Sequence, residues 1–428
     1  MPAQPLDLRA RLLCIFVPFA VGYFISYLFR VMNAVIATDL ASDLALGAGA
    51  LGFLTSAYFL AFAAAQLPLG ILLDRFGARR VESVLLLVAA LGAALFAIGE
   101  TLAVLGIGRA LIGLGVSACL MASFKAFVQW FPAQTLPQLN GWLLAVGGLG
   151  AMAGTVPLEW LVAATDWRTV FAALAVACVG ASVLLWRLVP VRPPDARSSA
   201  GRETPSLGRQ IGELGQVLRH PWFWTVAPLG AINMGVFLAL QGLWAGPWLR
   251  DVAGMDRPAI AMALLLIAAA MTAGYAFWGT VATRLSAVGG SVRNLALFGV
   301  ALALVMLFIL SWQPPRGMVL LWMLYAFAGS AGTLFYVVLT RSFPNRLAGR
   351  VNTAFNLLIF LSAFALQWAL GLGLQQGSAD GAGYDPLDYR IGFLMLCLST
   401  GLAMVWFLRG CRRYATTHQN RTESEFDA

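Results

Sequence analysis

Three basic side chains stand inside long apolar stretches: Arg30, Arg109 and Lys125. A charge in hydrocarbon is costly, so such a residue faces a cavity, a partner or a bound ion. Lys125 is the only lysine among 28 basic residues. It lies near the end of its apolar run, so it either lines a substrate path or snorkels to the membrane surface. Around Arg30, the residues Tyr23, Ser26, Tyr27 and Asn33 recur at three- and four-residue intervals, which puts them on one helical face. That stripe reads as the wall of a cavity or as an interhelical hydrogen-bond network. A guanidinium suits carboxylate or phosphate because its planar fork donates two bonds at once. Arg109 precedes Lys125 by a spacing that turns it about 160° away on a straight helix. It is therefore expected outside Lys125's cavity, packing or coupling in the other half of the bundle rather than binding substrate.

The second half of the chain offers polar faces without charge. Asn233, Gln241, Trp244 and Trp248 form one, Tyr325, Thr333, Tyr336 and Thr340 another, and Asn352, Asn356 and Gln367 a third. Gln241, Trp244, Tyr336 and Asn356 join Tyr23, Tyr27, Asn33, Arg30 and Lys125 as candidate substrate-binding residues; interhelical hydrogen bonding is the plainer alternative. Acids are scarce. None lies between Glu100 and Glu159, and Glu159 and Glu82 are the only acids near the basic groups. Glu159 and Arg109 are weak candidates for coupling. A basic site without carboxylates fits anion exchange, or uptake of an anion with its own proton.

These residues must be positioned by membrane helices. The 428 residues are 60% hydrophobic and 11% charged, with a mean hydropathy of +0.80, against about 25% charged in soluble domains. Runs long enough to span fall near 12–37, 50–73, 81–99, 102–124, 139–160, 170–189, 222–246, 259–282, 294–312, 317–339, 351–375 and 390–408. They are continuously apolar, which excludes a β-barrel. The fold class is all-α, with twelve transmembrane helices. Arg168, Arg250, Arg257, Arg316 and Arg390 fall on one side and most other arginines on the side of the termini, so both termini are expected in the cytoplasm of a cell, here a bacterial inner, membrane. The net charge of +9 follows from this topology and does not call for nucleic acid. Five cysteines and two histidines show no metal or disulfide spacing. No cofactor, metal or enzyme chemistry is expected, and the chain is expected to act as a monomer in the lipid bilayer.

The segment Val191–His220 is rich in Arg, Pro, Ser and Gly. It reads as a linker between six-helix bundles at 1–190 and 221–410, with a tail at 411–428. The halves look like repeats: Phe131-Pro132 followed by Asn140 recurs as Phe343-Pro344 followed by Asn352. A compact polar knot, Gly70-Ile-Leu-Leu-Asp74-Arg75-Phe-Gly77-Ala-Arg79-Arg80, has a faint copy at Gly279–Leu285, where Thr283 replaces the Asp and Arg284 follows. Paired halves of this kind suggest a transporter with its site between them.

The knot resembles the loop signature of the major facilitator superfamily. Arg109-x-x-x-Gly113-x-Gly115 and Asp166-Trp167-Arg168-x-x-Phe171 resemble two further patterns of that superfamily. Lys125, five residues before Trp130, and Arg30 on the first helix resemble basic residues of its organic-anion branches, the anion:cation symporters and organophosphate:phosphate antiporters. The resemblance implies two pseudo-symmetric bundles, alternating access, and a gating role for Gly70, Asp74, Arg75, Gly77, Arg79, Arg80 and Arg284. Gly154-Thr-Val-Pro157 lacks the Gly-Pro pair of the drug:proton antiporters. The expected function is symport or antiport of a small organic anion, a carboxylate, sugar acid or organophosphate, with protons as a candidate coupling ion. An efflux pump for amphiphiles and a non-transporting sensor on the same scaffold remain the alternatives.

Overall fold

The computed structural model describes residues 7–132, 135–190, 207–312, 317–344, 347–375 and 384–426. The predicted linker residues 191–206 lie outside them. The described chain is helical, without strands among the described residues, and contains twelve helices able to cross a bilayer. These are α1 (Leu8–Val31), α2 (Ala48–Phe76), α3 (Ala78–Ile98), α4 (Leu102–Trp130), α5 (Gln138–Ala164), α6 (Trp167–Leu188), α7 (Pro221–Asp251), α8 (Arg257–Ala287), α9 (Val292–Ser311), α10 (Met318–Arg341), α11 (Ala348–Gln375) and α12 (Pro386–Arg413). Their count and type match the apolar runs, with ends displaced by a few residues. The segment Asn33–Asp43 continues α1 after Met32, and a short helix, Leu207–Arg219, precedes α7. An even number of spans puts the start of α1 and the end of α12 on one side, called here the terminal face; the other is the far face.

Several helices are broken where sequence periodicity assumes a straight rod. α4 ends its first segment at Val116, turns through Ser117 and Ala118, and resumes at Cys119. The Val116 carbonyl freed by this turn accepts from the Ser26 hydroxyl at 3.4 Å, as membrane-buried backbone requires. α7 carries a wide π-type turn over Leu240–Trp244, which shifts Gln241 and Trp244 off the face that a regular helix would give them.

The polar motifs act as staples. Gly77, at φ +80°, turns α2 into α3. Asp166 caps α6, accepting from the Thr169 N–H at 2.8 Å and its hydroxyl at 2.7 Å; these two bonds hold the Asp166 carboxyl below the usual carboxylate range. Trp167 donates to Asp43 at 2.8 Å, and Arg168 donates to the Gly99 carbonyl at 2.7 Å, so the motif pins α6 to the ends of the α1 extension and α3. Across the two bundles, α2 lies along α11 over its whole length, from Gly49 against Gln375 to Gly70 against Arg350.

Candidate functional site

The centre of the molecule is a narrow crevice between the bundles. Phe29, Arg30 and Asn33 from α1 and its extension, Thr55, Tyr58 and Phe59 from α2, Arg109 from α4, Gly242 from α7 and Gln367 from α11 line it, and it leaves no room for a water. Arg30 is held by aromatic faces: its guanidinium carbon is 4.5 Å from the Tyr27 ring centre, 5.5 Å from Phe62 and 5.4 Å from Phe360. Arg109 is 1% exposed and lies 5.1 Å from the Phe96 ring and 5.5 Å from Phe171. Among the described residues no carboxylate pairs with either arginine. Arg30 Nε, Arg109 Nε and Nη1, Asn33 Oδ1, the Tyr58 hydroxyl and Gln367 Oε1 are buried without hydrogen-bond partners. Cation–π contact offsets part of the cost of burying a guanidinium. It leaves the guanidinium donors, and with them the acceptor oxygens of Asn33 and Gln367, facing a closed space where unmet polar groups are expensive.

The crevice is closed toward the terminal face by two layers. Phe62 and Phe360 stack across the bundles at 4.0 Å. Beneath them Tyr336 donates to Asn356 Oδ1 at 2.6 Å, and Asn356 donates to Gln66 Oε1 at 2.9 Å. Below lies a vestibule of about 280 Å³ lined by Gln66, Gly70, Asp74, Lys125 and Arg350 among others. Toward the far face, Arg257 at the start of α8 grips Asp39 with two bonds of 2.7 and 2.8 Å and also donates to Glu159. Arg250 donates to Thr38 at 3.1 Å. The centre is thus shut on both sides.

The candidate residues do not share one site. Arg30, Asn33 and Arg109 meet in the crevice. Arg109 lines the crevice with Arg30 and Lys125 lines the separate vestibule; the turn at Ser117–Ala118 falls between the two on α4 and sets the phase of one relative to the other. Tyr27 borders the crevice through Arg30, and Tyr23 packs edge-on against Tyr27 at 5.1 Å. Gln241 is buried with its amide nitrogen unpartnered, while Trp244 is fully buried and donates to the Gln367 carbonyl at 3.0 Å, a packing role. Tyr336 and Asn356 form the closing layer. Lys125 lies away from Arg30, in the vestibule, 2.6 Å from Asp74. The knot is tied within its own bundle: Asp74 to Lys125, Arg75 over the Phe76 ring at 5.4 Å, and Arg79 to the Trp186 carbonyl. Arg80 lines a cavity with Gly77 and Arg79, and Arg284 is exposed on α8. Glu159 belongs to the far-face ion pairs. Sequence reasoning passed over Thr55, Tyr58 and Gln66, whose signal was present: polar groups at helical spacing on one face of an otherwise apolar run.

Twelve spans in two six-helix bundles around a closed polar crevice define a polytopic membrane transporter. The chain belongs to the Major Facilitator Superfamily, whose model matches residues 19–367. It is 24% identical over 279 residues to the "Probable sulfoacetate transporter SauU" of Cupriavidus necator, covering 63% of this chain and 65% of that protein. It is 27% identical over 165 residues to the "Uncharacterized transporter YybO" of Bacillus subtilis, 38% of each chain. The match thus spans less than two thirds of either relative. Among solved structures, a bacterial homologue of the human lysosomal transporter Spinster superposes with a TM-score of 0.79 at 15% identity, covering 96% of this chain and 99% of that one. The nucleoside transporter NupG superposes with a TM-score of 0.70 at 13% identity, covering 92% and 98%.

Proposed function

We propose that this protein is a secondary transporter that moves a small organic anion across the cell membrane by alternating access, with the terminal face and both termini in the cytoplasm. One observation carries the reading: two buried arginines, Arg30 and Arg109, face one crevice with unpaired donors and, among the described residues, no carboxylate to neutralise them. A buried charge is retained where something pairs with it, and here the counter-charge is the cargo. Two guanidiniums suit an anion with two acidic groups, and sulfoacetate, the cargo in the name of the Cupriavidus relative, has a sulfonate and a carboxylate. The Tyr58 hydroxyl supplies a neutral donor beside the two guanidiniums. The excess of arginine on the terminal face supports its cytoplasmic placement. The bundles 1–190 and 221–410 rock about the site as one monomer, with 191–220 as their linker and 411–428 as a tail.

The test is counterflow of labelled sulfoacetate and of other small carboxylates and sulfonates in proteoliposomes. A charge-assisted contact is worth about 1.5–3 kcal/mol, so Arg30→Gln or Arg109→Gln should weaken apparent affinity roughly ten- to hundredfold. Cargo should also raise the melting temperature of the wild type and not of the variants. Undiminished transport by both variants, or stabilisation by amphiphilic cations alone, would sink the reading.

A further inference from the structure

A second buried group stands apart from the crevice. Glu82, one turn into α3, has no exposed surface, and neither of its carboxyl oxygens has a hydrogen-bond partner. It packs directly against α1: a Cβ at Gly22 would overlap Glu82 Oε1, so a larger residue there would displace the carboxyl. On its other side lies the thiol of Cys119, the first residue after the break in α4. Immediately toward the terminal face is a cavity of about 220 Å³ inside the N-terminal bundle. Its walls include Phe19, one turn before Gly22, Ala78, one turn before Glu82, and Ala126 of α4, and Gly77, Arg79, Arg80 and Gln129 line it too. This cavity is separate from the vestibule that holds Lys125.

We infer that Glu82 is a proton-exchange site that communicates with the terminal face through this cavity, and that its ionisation sets the packing of α1 against α3 and α4. An ionised carboxylate with no partner in a dry interior is costly, so the neutral acid is the form that fits this packing. Loss of its proton to water in the cavity leaves a carboxylate that must gain donors, and the nearest interruption of regular helix is the α4 turn at Ser117–Ala118, just before Cys119. The groups facing Glu82 are few. α4 presents Cys119, with Cys178 of α6 and Tyr58 of α2 beyond the thiol. α1 presents Gly22 without a charge, α6 presents Ser182, which donates to the Ser83 carbonyl at 2.8 Å, and Arg79 and Arg80 line the cavity. Gly22 shares α1 with Arg30, eight residues or about 12 Å away along the helix, and Cys119 shares α4 with Arg109. The proton and the anion crevice therefore act on the same two helices. This link to transport rests on the reading of Arg30 and Arg109 as the anion site.

Infrared difference spectroscopy of the purified protein, without cargo, tests the proton site alone. A carboxylic-acid band should be present at neutral pH, should bleach as the pH is raised, and should be absent from Glu82→Gln, which imitates the neutral acid in shape. Gly22→Ala, which presses on the carboxyl, should move the band. A band unchanged in Glu82→Gln, no band in the wild type, or a band that never bleaches while the protein stays folded would each overturn the proposal. In proteoliposomes, Glu82→Gln should keep counterflow while losing at least tenfold of the wild type's rate change with pH on the terminal face. An unaltered pH profile overturns the link to transport. Failure of sulfoacetate or any other anion to be carried would leave the infrared result standing and strike only the anion reading.

Discussion

Three intramembrane cations have two different fates, and their partners decide them. Lys125 reaches Asp74 of the knot, and the pair is partly solvated, with 24% and 38% of the two side chains exposed. Arg30 and Arg109 are buried without an acid. Such a half-exposed pair contributes at most about 1 kcal/mol, so Lys125→Met should lower affinity for cargo far less than Arg30→Gln. Its effect should instead appear in turnover, and Asp74→Asn should add little once Lys125 is gone. Initial rates at saturating cargo for the two single variants and the double variant check this; fully additive losses would separate the pair. Arg30 was legible in the sequence because its stripe of Tyr23, Ser26, Tyr27 and Asn33 is local. The partner of Lys125 was not, because Asp74 lies 51 residues away and only tertiary packing joins them.

At the scale of the helix, composition and run length specify nearly everything except phase. The twelve spans, the cap at Asp166 and the turn at Gly77 follow from residue types in place. The turn at Ser117–Ala118 and the π-type turn at Leu240–Trp244 contain no proline, so the apolar pattern does not mark them, yet the first sets the phase of Lys125 relative to Arg109 and the second the direction of Gln241 and Trp244. Close approach between α4 and α2 fixes the Arg109 side of the crevice: a Cβ at Gly113 would run into the Tyr58 carbonyl. Gly113→Val should therefore push α4 from α2. Overpacking of this kind costs about 1–3 kcal/mol. It should lower the melting temperature in detergent and, by separating Arg109 from Tyr58, weaken cargo binding in the same variant. A variant that melts lower but binds cargo with wild-type affinity would show that the α2–α4 spacing does not set the site.

For the whole molecule, the charged contacts that cross between the bundles are concentrated on the far face, where Arg257 holds Asp39 and Glu159. The knot on the terminal face ties α2 to α4 and α3 to α6 within one bundle, while neutral bonds of Asn356 and Gln66 cross to α11. Alternating access requires each closure to be reversible, so no closure can be worth many kcal/mol. A bidentate pair with Arg257 42% exposed meets that condition at about 1 kcal/mol, roughly a fivefold change in the ratio of closed to open far faces. Arg257→Gln, which keeps some hydrogen bonding but removes the charge, should shift the ensemble toward a far-face-open form by about that factor. Spin labels at exposed far-face positions on α6 and α9 should report a larger population of long distances. Raising the salt concentration should move the wild type the same way and the variant hardly at all, since screening acts on exposed charges. If labels on the terminal face separate instead, the Arg257 cluster is a staple of the outer loops rather than the gate.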